Sequence, residues 1–171
     1  MNNLKNLLTK PLQLQSLPKW IPITILVLSL AGFADATYLT VKHYQGIIPP
    51  CSISGCEVVL SSDYSVILGI PVPLLGVVFY SILILATFIY LDSKNTRVKD
   101  VGLTVIMGIS TLGLLAALGF IAIMLFVLHA ICIYCMVSDT ITIFIAIFAF
   151  HIFRLNMKAV ASSVLTENNG K

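Results

Sequence analysis

The run from Val101 to Phe153 constrains this chain more than any other feature. It carries one acid, Asp139, and two histidines, and it has no lysine or arginine. As one helix it would be roughly 80 Å long at 1.5 Å per residue. A bilayer's hydrocarbon core is about 30 Å thick and takes roughly 20 apolar residues per pass. The run must therefore turn back, and the corner is expected between Leu125 and Ile131, although no Gly or Pro marks it. Two earlier segments, about 20–41 and 72–91, are each long and apolar enough for one pass. With the returning run divided into about 101–125 and 130–152, the chain reads as an all-α integral membrane protein. The expected fold is a four-transmembrane-helix bundle forming one membrane domain over 20–153. Composition agrees, because 58% of the 171 residues are hydrophobic and 10% are charged, against about 25% charged in soluble domains.

The distribution of charge orients the bundle. Lys5, Lys10 and Lys19 precede the first span, and Lys94, Arg97 and Lys99 lie between the second and third. Arg154, Lys158 and Lys171 follow the fourth, so nine of the ten basic residues share one face. The positive-inside rule makes that face cytoplasmic. Segments 1–19 and 154–171 are then cytoplasmic, and the loop of about 42–71 is extracytoplasmic. A net charge of +3 is too small to suggest a nucleic-acid partner; membrane lipid is the expected surroundings. A cleaved signal peptide with Ala34-Asp35-Ala36 as its processing site is a rival reading. It is disfavoured by the acid inside that site and by the apolar character that continues through Tyr38, Leu39 and Val41.

All four cysteines fall at the outer face. Cys51 and Cys56 lie in the first outer loop, and Cys132 and Cys135 begin the fourth span in "CIYC". Paired cysteines in an oxidising compartment are commonly structural disulfides. That suits Cys51 and Cys56 better than Cys132 and Cys135, because a bond between i and i+3 closes a tiny loop and removes little chain entropy. A Cys-x-x-Cys at a helix start is better explained by redox chemistry, since unpaired N–H groups there stabilise a thiolate. A four-cysteine zinc site is a third option and would need tetrahedral convergence. Ser54-Gly55-Cys56-Glu57 fits a capping box with Ser54 as N-cap, which would start a short helix with Cys56 in its first turn. "VVLSSDYSVIL" then reads as a helix lying along the interface. Cys51, after Pro49-Pro50, is expected on a more mobile stretch. Two dithiol pairs at a membrane surface form a relay if a soluble thiol protein supplies electrons and a lipid-soluble two-electron acceptor, a quinone, removes them.

These residues resemble the vitamin K epoxide reductase family. The resemblance covers roughly Gly32 to Phe150. It rests on "CSISGC", the serines that follow it, and "CIYC" at the start of the last span. "LGIPVPLLG" and "YLTVKHYQG" are similar to the prokaryotic branch in particular. The resemblance implies catalytic cysteines Cys51, Cys56, Cys132 and Cys135, with the outer-loop pair exchanging with a partner. Cys132 would accept electrons from the loop, and Cys135 would face ubiquinone or menaquinone. It also implies a separate thioredoxin-fold, DsbA-like partner, because the tail after Phe153 is too short to be a fused domain. The implied location is a prokaryotic plasma or inner membrane, and the implied purpose is disulfide bond formation. Cys56 on an ordered helix end is expected to meet the partner, and Cys51 to attack Cys132. Ser62 matches the family's hydroxyl near its cysteines, with Ser61 as a second candidate. Reduction of vitamin K epoxide as the main role is a rival within the family. A disulfide-stapled scaffold and a metal-binding membrane protein are rivals outside it. The DsbB-like family fits poorly, because its Cys-x-x-Cys lies in the first outer loop.

Other residues have readings of their own. His129 could assist proton transfer or simply mark the turn. An intramembrane acid is a functional candidate by default, which makes Asp139 a proton-relay or quinone-orienting candidate; Asp35 is read as structural. Phe79, Tyr80, Phe120 and Phe126 could wall a quinone site, with Phe79 and Phe120 the preferred pair. Gly108, Gly113 and Gly119 are read as helix-contact residues, and Pro71 and Pro73 as shaping the approach to the second span.

Overall fold

The computed structural model of the protein describes residues 20–51 and 55–169. The N-terminal segment 1–19 with its three lysines, Ser54 and Lys171 lie outside the described residues. Four long helices carry the architecture: α1 (Trp20–Tyr44), α3 (Val72–Asp92), α4 (Thr96–Ala122) and α5 (Ile133–Asn169), with a short α2 (Cys56–Leu60) between the first two. All four long helices are long and apolar enough to cross a membrane. Helix α3, with 21 residues, is about 32 Å long at 1.5 Å per residue, close to the hydrocarbon thickness. Helix α5 continues beyond the apolar segment that ends at Leu155 and runs through Asn169.

The helices close a ring in which α1 packs on α3, α3 on α4, α4 on α5, and α5 on α1. Its centre is filled by Ile21, Ile25, Tyr80, Leu83, Ile106, Ile145 and Ile152, each 2% exposed or less. The opposite faces are apolar as well. Ile23, Val27 and Leu30 on α1, and Phe144, Ile147 and Phe150 on α5, all point outward and exposed. Each set recurs at three- and four-residue steps and so forms one helix face. Helices apolar all round belong in lipid.

The corner of the long apolar run has a physical device that the absence of glycine hid. Helix α4 ends in one π-helical turn, Ile123–Val127, and His129 then adopts φ +49°. That left-handed conformation is tolerated by histidine more readily than by most side chains. Chain direction is restored by the Ala130 N–H donating to the Met124 carbonyl at 3.1 Å.

The outer loop differs from expectation in two ways. Helix α2 has Gly55 as its N-cap and no side-chain cap. Glu57 therefore stands at the second helical position, and the capping-box spacing is not met. The segment read as an interfacial helix stops at Leu60 and gives way to a 3₁₀ turn, Asp63–Ser65, and a β-hairpin, β1 (Val66–Ile67) with β2 (Ile70–Pro71). The strands are antiparallel, with Val66 opposite Pro71 and Ile67 opposite Ile70. Helix is broken at the serines, whose hydroxyls bond back to their own turn: Ser61 Oγ to the Glu57 carbonyl at 2.6 Å and Ser62 Oγ to the Val59 carbonyl at 2.7 Å. Such local bonds compete with continued helix. Pro71 then caps α3 and Pro73 sits in its first turn, where a missing N–H costs nothing.

Candidate active site

The turn after α4 delivers Cys132 to the end of the bundle. Its carbonyl accepts from the Met136 N–H at 2.9 Å, so Cys132 occupies the cap position of α5. The Cys135 N–H points at Cys132 Sγ, at 3.4 Å. A capping serine or aspartate receives its bond from the same third-position N–H. The two-residue spacing of the motif is thus capping geometry with sulfur as the acceptor, and it brings both thiols together. Cys135 Sγ–H donates to Cys132 Sγ at 2.9 Å. Helix-end donors converging on Cys132 favour negative charge on its sulfur.

Helix α2 is packed directly on this turn. Cys56 (1% exposed), Cys132 (0%) and Met124 (3%) form one buried cluster, with Cys51 and Cys135 against it. Close approach is made possible by Gly55: a Cβ there would collide with the carbonyl oxygen of Ile131, the residue before Cys132. Cys51 and Cys56 are joined by a disulfide, while Cys132 and Cys135 are free thiols. The stretch before Cys51 is tied to the motif by Tyr134, whose phenol donates to the Pro50 carbonyl at 3.2 Å. Tyr134 also packs on Tyr38 of α1, ring centroids 5.7 Å apart. The two loop cysteines differ in burial. Cys56 is buried against Cys132, whereas Cys51 is half-buried at the edge.

On the far side of Cys135 lies a cavity of about 660 Å³, bounded by Val59, Leu60, Ser62 and Ile67 of the loop and by helices α1, α3, α4 and α5. Its walls are largely apolar. Phe79 and Phe120 line it, while Phe126 does not, being 78% exposed on the outside. Cys135 is on the wall; Cys132 is not. Polar groups gather at the Cys135 end: Tyr80, Ser138, Asp139 and Thr142. Tyr80 Oη donates to the Ser138 carbonyl at 2.9 Å and lies 2.9 Å from Thr142 Oγ1 and 3.1 Å from Ser138 Oγ. Asp139, 9% exposed, has a buried Oδ2 with no hydrogen-bond partner. Asp35 Oδ2 on α1 is likewise buried and unpartnered.

The remaining candidates divide. Ser62 is on the cavity wall; Ser61 is exposed. The His129 ring is exposed and within 3.4 Å of the Val127 carbonyl. Of the three α4 glycines read as helix-contact residues, Gly113 meets the Phe79 ring, while Cβ atoms at Gly108 and Gly119 would meet nothing within 4 Å. Ser138, Thr142 and Tyr134 had no role in the sequence reading, and Tyr80 was read there only as a possible wall of a quinone site. A hydroxyl face at 138 and 142, one turn apart and following Cys135, was the available signal for the Tyr80–Ser138–Thr142 node.

The profile of the vitamin K epoxide reductase family matches residues 23–150. The chain belongs to that family. Among characterised relatives, the thiol-disulfide oxidoreductase LTO1 of Arabidopsis thaliana is 33% identical over 132 residues, covering 74% of this chain and 33% of the relative. The chain thus spans about a third of that protein's length. Residues 23–150, matched by the family profile, contain all four cysteines, the whole of α3 and α4, most of α1 and the first half of α5.

Proposed function

We propose that this family member is a membrane thiol–quinone oxidoreductase that oxidises a separate thioredoxin-fold protein outside the cytoplasm and passes the electrons to quinone, supporting disulfide bond formation. One observation carries the reading: the four sulfurs are graded from surface to cavity. Cys51 is at the edge, Cys56 and Cys132 are buried together, and Cys135 is on the cavity wall. The name of the plant relative, a thiol-disulfide oxidoreductase, supports the thiol half.

The electrons move by thiol–disulfide exchange, each step passing through a mixed disulfide. A partner thiolate attacks Cys51 and expels the Cys56 thiolate; the partner's second thiol then resolves the mixed disulfide, leaving the partner oxidised and the loop pair reduced. Cys56 attacks Cys132 of the Cys132–Cys135 disulfide and expels the Cys135 thiolate. Cys51 resolves Cys56–Cys132, which restores the loop disulfide and leaves the free-thiol Cys132–Cys135 pair described above.

The cavity suits a quinone head group. Its volume lies within the range usual for small-molecule sites, its walls are largely apolar, and Asp139 on the wall has a buried oxygen without a hydrogen-bond partner. A quinone supplies a two-electron, two-proton sink. Cys135 would be the thiol beside it, and Asp139 with the Tyr80 node would orient a carbonyl oxygen or carry a proton. The basic-residue distribution supports a plasma or inner membrane with both termini cytoplasmic.

Purified protein supplied with a reduced thioredoxin-fold donor tests this directly. Quinone reduction should match donor disulfide formation one for one and vanish in Cys135→Ser. Donor oxidation that proceeds equally well without quinone would refute the acceptor.

A further inference from the structure

Tyr134 stands inside the Cys-x-x-Cys motif, yet its side chain reaches the other redox pair. Its phenol donates to the carbonyl of Pro50, the residue before Cys51, at 3.2 Å and across 84 positions of the chain. Among the described residues no other side-chain hydrogen bond ties the outer loop to a distant part of the chain; Ser61 and Ser62 bond only within their own turn. The Tyr134 ring is braced in its place. Tyr38 packs on it from α1, and Lys42, one turn further along α1, has its Nζ 5.8 Å from the Tyr38 ring centroid.

The path into this contact is equally specified. Helix α1 stops in a Schellman arrangement, in which the Gly46 N–H donates to the His43 carbonyl and the Ile47 N–H to the Lys42 carbonyl, both at 3.1 Å. Gly46 takes φ +64°, the left-handed conformation that this stop requires and that glycine supplies without strain. Beyond it, Pro49 and Pro50 fix their own φ at about −65° and hold the residues before them extended. Pro49 is buried. A short, stiff segment thus runs from α1 to Cys51, and a bond at the Pro50 carbonyl fixes where Cys51 lies.

The bond bears on one step of the relay proposed above, on which this inference rests. Cys51 and Cys56 are joined while Cys132 and Cys135 are free, the state that remains once Cys51 has resolved the Cys56–Cys132 mixed disulfide. In that step Cys51 loses its proton to water and its thiolate attacks Cys56. The Cys51–Cys56 bond forms, the Cys56–Cys132 bond breaks, and Cys132 leaves with the electron pair and takes up a proton. The attacking thiolate must stay at Cys56 while the loop disulfide is open and no longer holds it there. Keeping a nucleophile at its target raises its effective concentration.

We propose that Tyr134 is the positioning residue of this step: its hydroxyl docks the Cys51 segment on the Cys-x-x-Cys motif and so returns Cys51 to Cys56. A residue between the two inner cysteines thereby sets how readily the outer pair closes.

Full-length Cys135→Ser protein isolates the step, because Cys132 then exchanges with the loop disulfide and goes no further. Acid quenching and non-reducing peptide mapping give the ratio of Cys56–Cys132 to Cys51–Cys56 at equilibrium. Adding Tyr134→Phe keeps a ring against Tyr38 and removes only the hydroxyl. The ratio should rise about two- to tenfold, the worth of one neutral hydrogen bond, and the fraction of Cys51 alkylated by a brief pulse of iodoacetamide should rise with it. A ring that serves packing alone predicts a silent Tyr134→Phe. An unchanged or lower ratio therefore overturns the proposal while leaving the relay in place. If Cys135→Ser by itself forms no Cys56–Cys132 bond, the relay fails and the inference with it.

Discussion

At the residue scale, position relative to the buried cluster separates four chemically identical cysteines. Cys135→Ser leaves Cys132 without its partner but still beside Cys56. Its thiolate can then attack the loop disulfide, form Cys56–Cys132 and release Cys51. Non-reducing peptide mapping of Cys135→Ser should find that linkage as the dominant species; a dominant Cys51–Cys132 bond would restore the opposite loop assignment. Sequence led to the opposite choice, with Cys56 meeting the partner. Local order along the chain was its only guide; the burial of Cys56 depends on Gly55 seating α2 on Ile131, a contact between residues far apart in the chain. Asp139 poses a different question. The residue is on the cavity wall and its buried Oδ2 has no hydrogen-bond partner; positioned acid–base groups contribute about 10²-fold or more. Asp139→Asn keeps the size and removes the ionisable proton. Quinone reduction should fall about 10²-fold while donor-to-loop exchange in the absence of quinone is unchanged, as stopped-flow measurement of each half would show. Equal slowing of both halves would make Asp139 a packing residue.

At the element scale, the short helix α2 matters more than its five residues suggest, because it fixes the distance between the two sulfur pairs. Gly55→Ala would insert a Cβ where the Ile131 carbonyl now sits. Backbone cannot yield as a flexible side-chain tip can, so α2 must retreat. Forced overpacking typically costs about 1–3 kcal/mol, equivalent to roughly fivefold to a hundredfold in rate. Placed in the Cys135→Ser background, Gly55→Ala should slow formation of Cys56–Cys132 by that factor, read as trapped disulfide against time. An unchanged rate would mean that the contact does not set the transfer geometry. The legibility of the elements follows the same physics. Long helices announce themselves through sustained apolar character, and the second span could be placed from composition alone. The hairpin could not. Its turn is Leu-Gly rather than Asn-Gly, so the pattern that normally reveals a type I′ turn was missing, and two β-branched residues among hydroxyls resembled an interfacial helix. The π-turn and left-handed His129 at the third corner were equally silent, because neither has a glycine or proline to mark it.

At the scale of the whole molecule, the ring of four helices brings two redox pairs from distant parts of the chain to one end, with a cavity beginning where the last thiol stands. That arrangement serves an extracytoplasmic relay only if this end faces away from the cytoplasm, the orientation that the positive-inside rule predicts. Lys94, exposed between α3 and α4, lies at the opposite end and provides the counter-probe. After mild reduction of intact cells, a bulky impermeant maleimide should label Cys51. Cys56 and Cys132 should stay unlabelled until the protein is denatured, because they are 1% and 0% exposed. In a Lys94→Cys variant the new thiol should resist the reagent until the membrane is permeabilised. The two accessibilities are linked by the fold: an odd number of helices, α3 alone, separates residue 94 from the loop, so both thiols cannot be labelled from one side. If Cys51 reacts only after permeabilisation and Lys94→Cys reacts in intact cells, the bundle is inverted. The loop pair would then meet the reducing thiol pool of the cytoplasm, and the same chemistry would run as reduction of a membrane quinone rather than as disulfide formation.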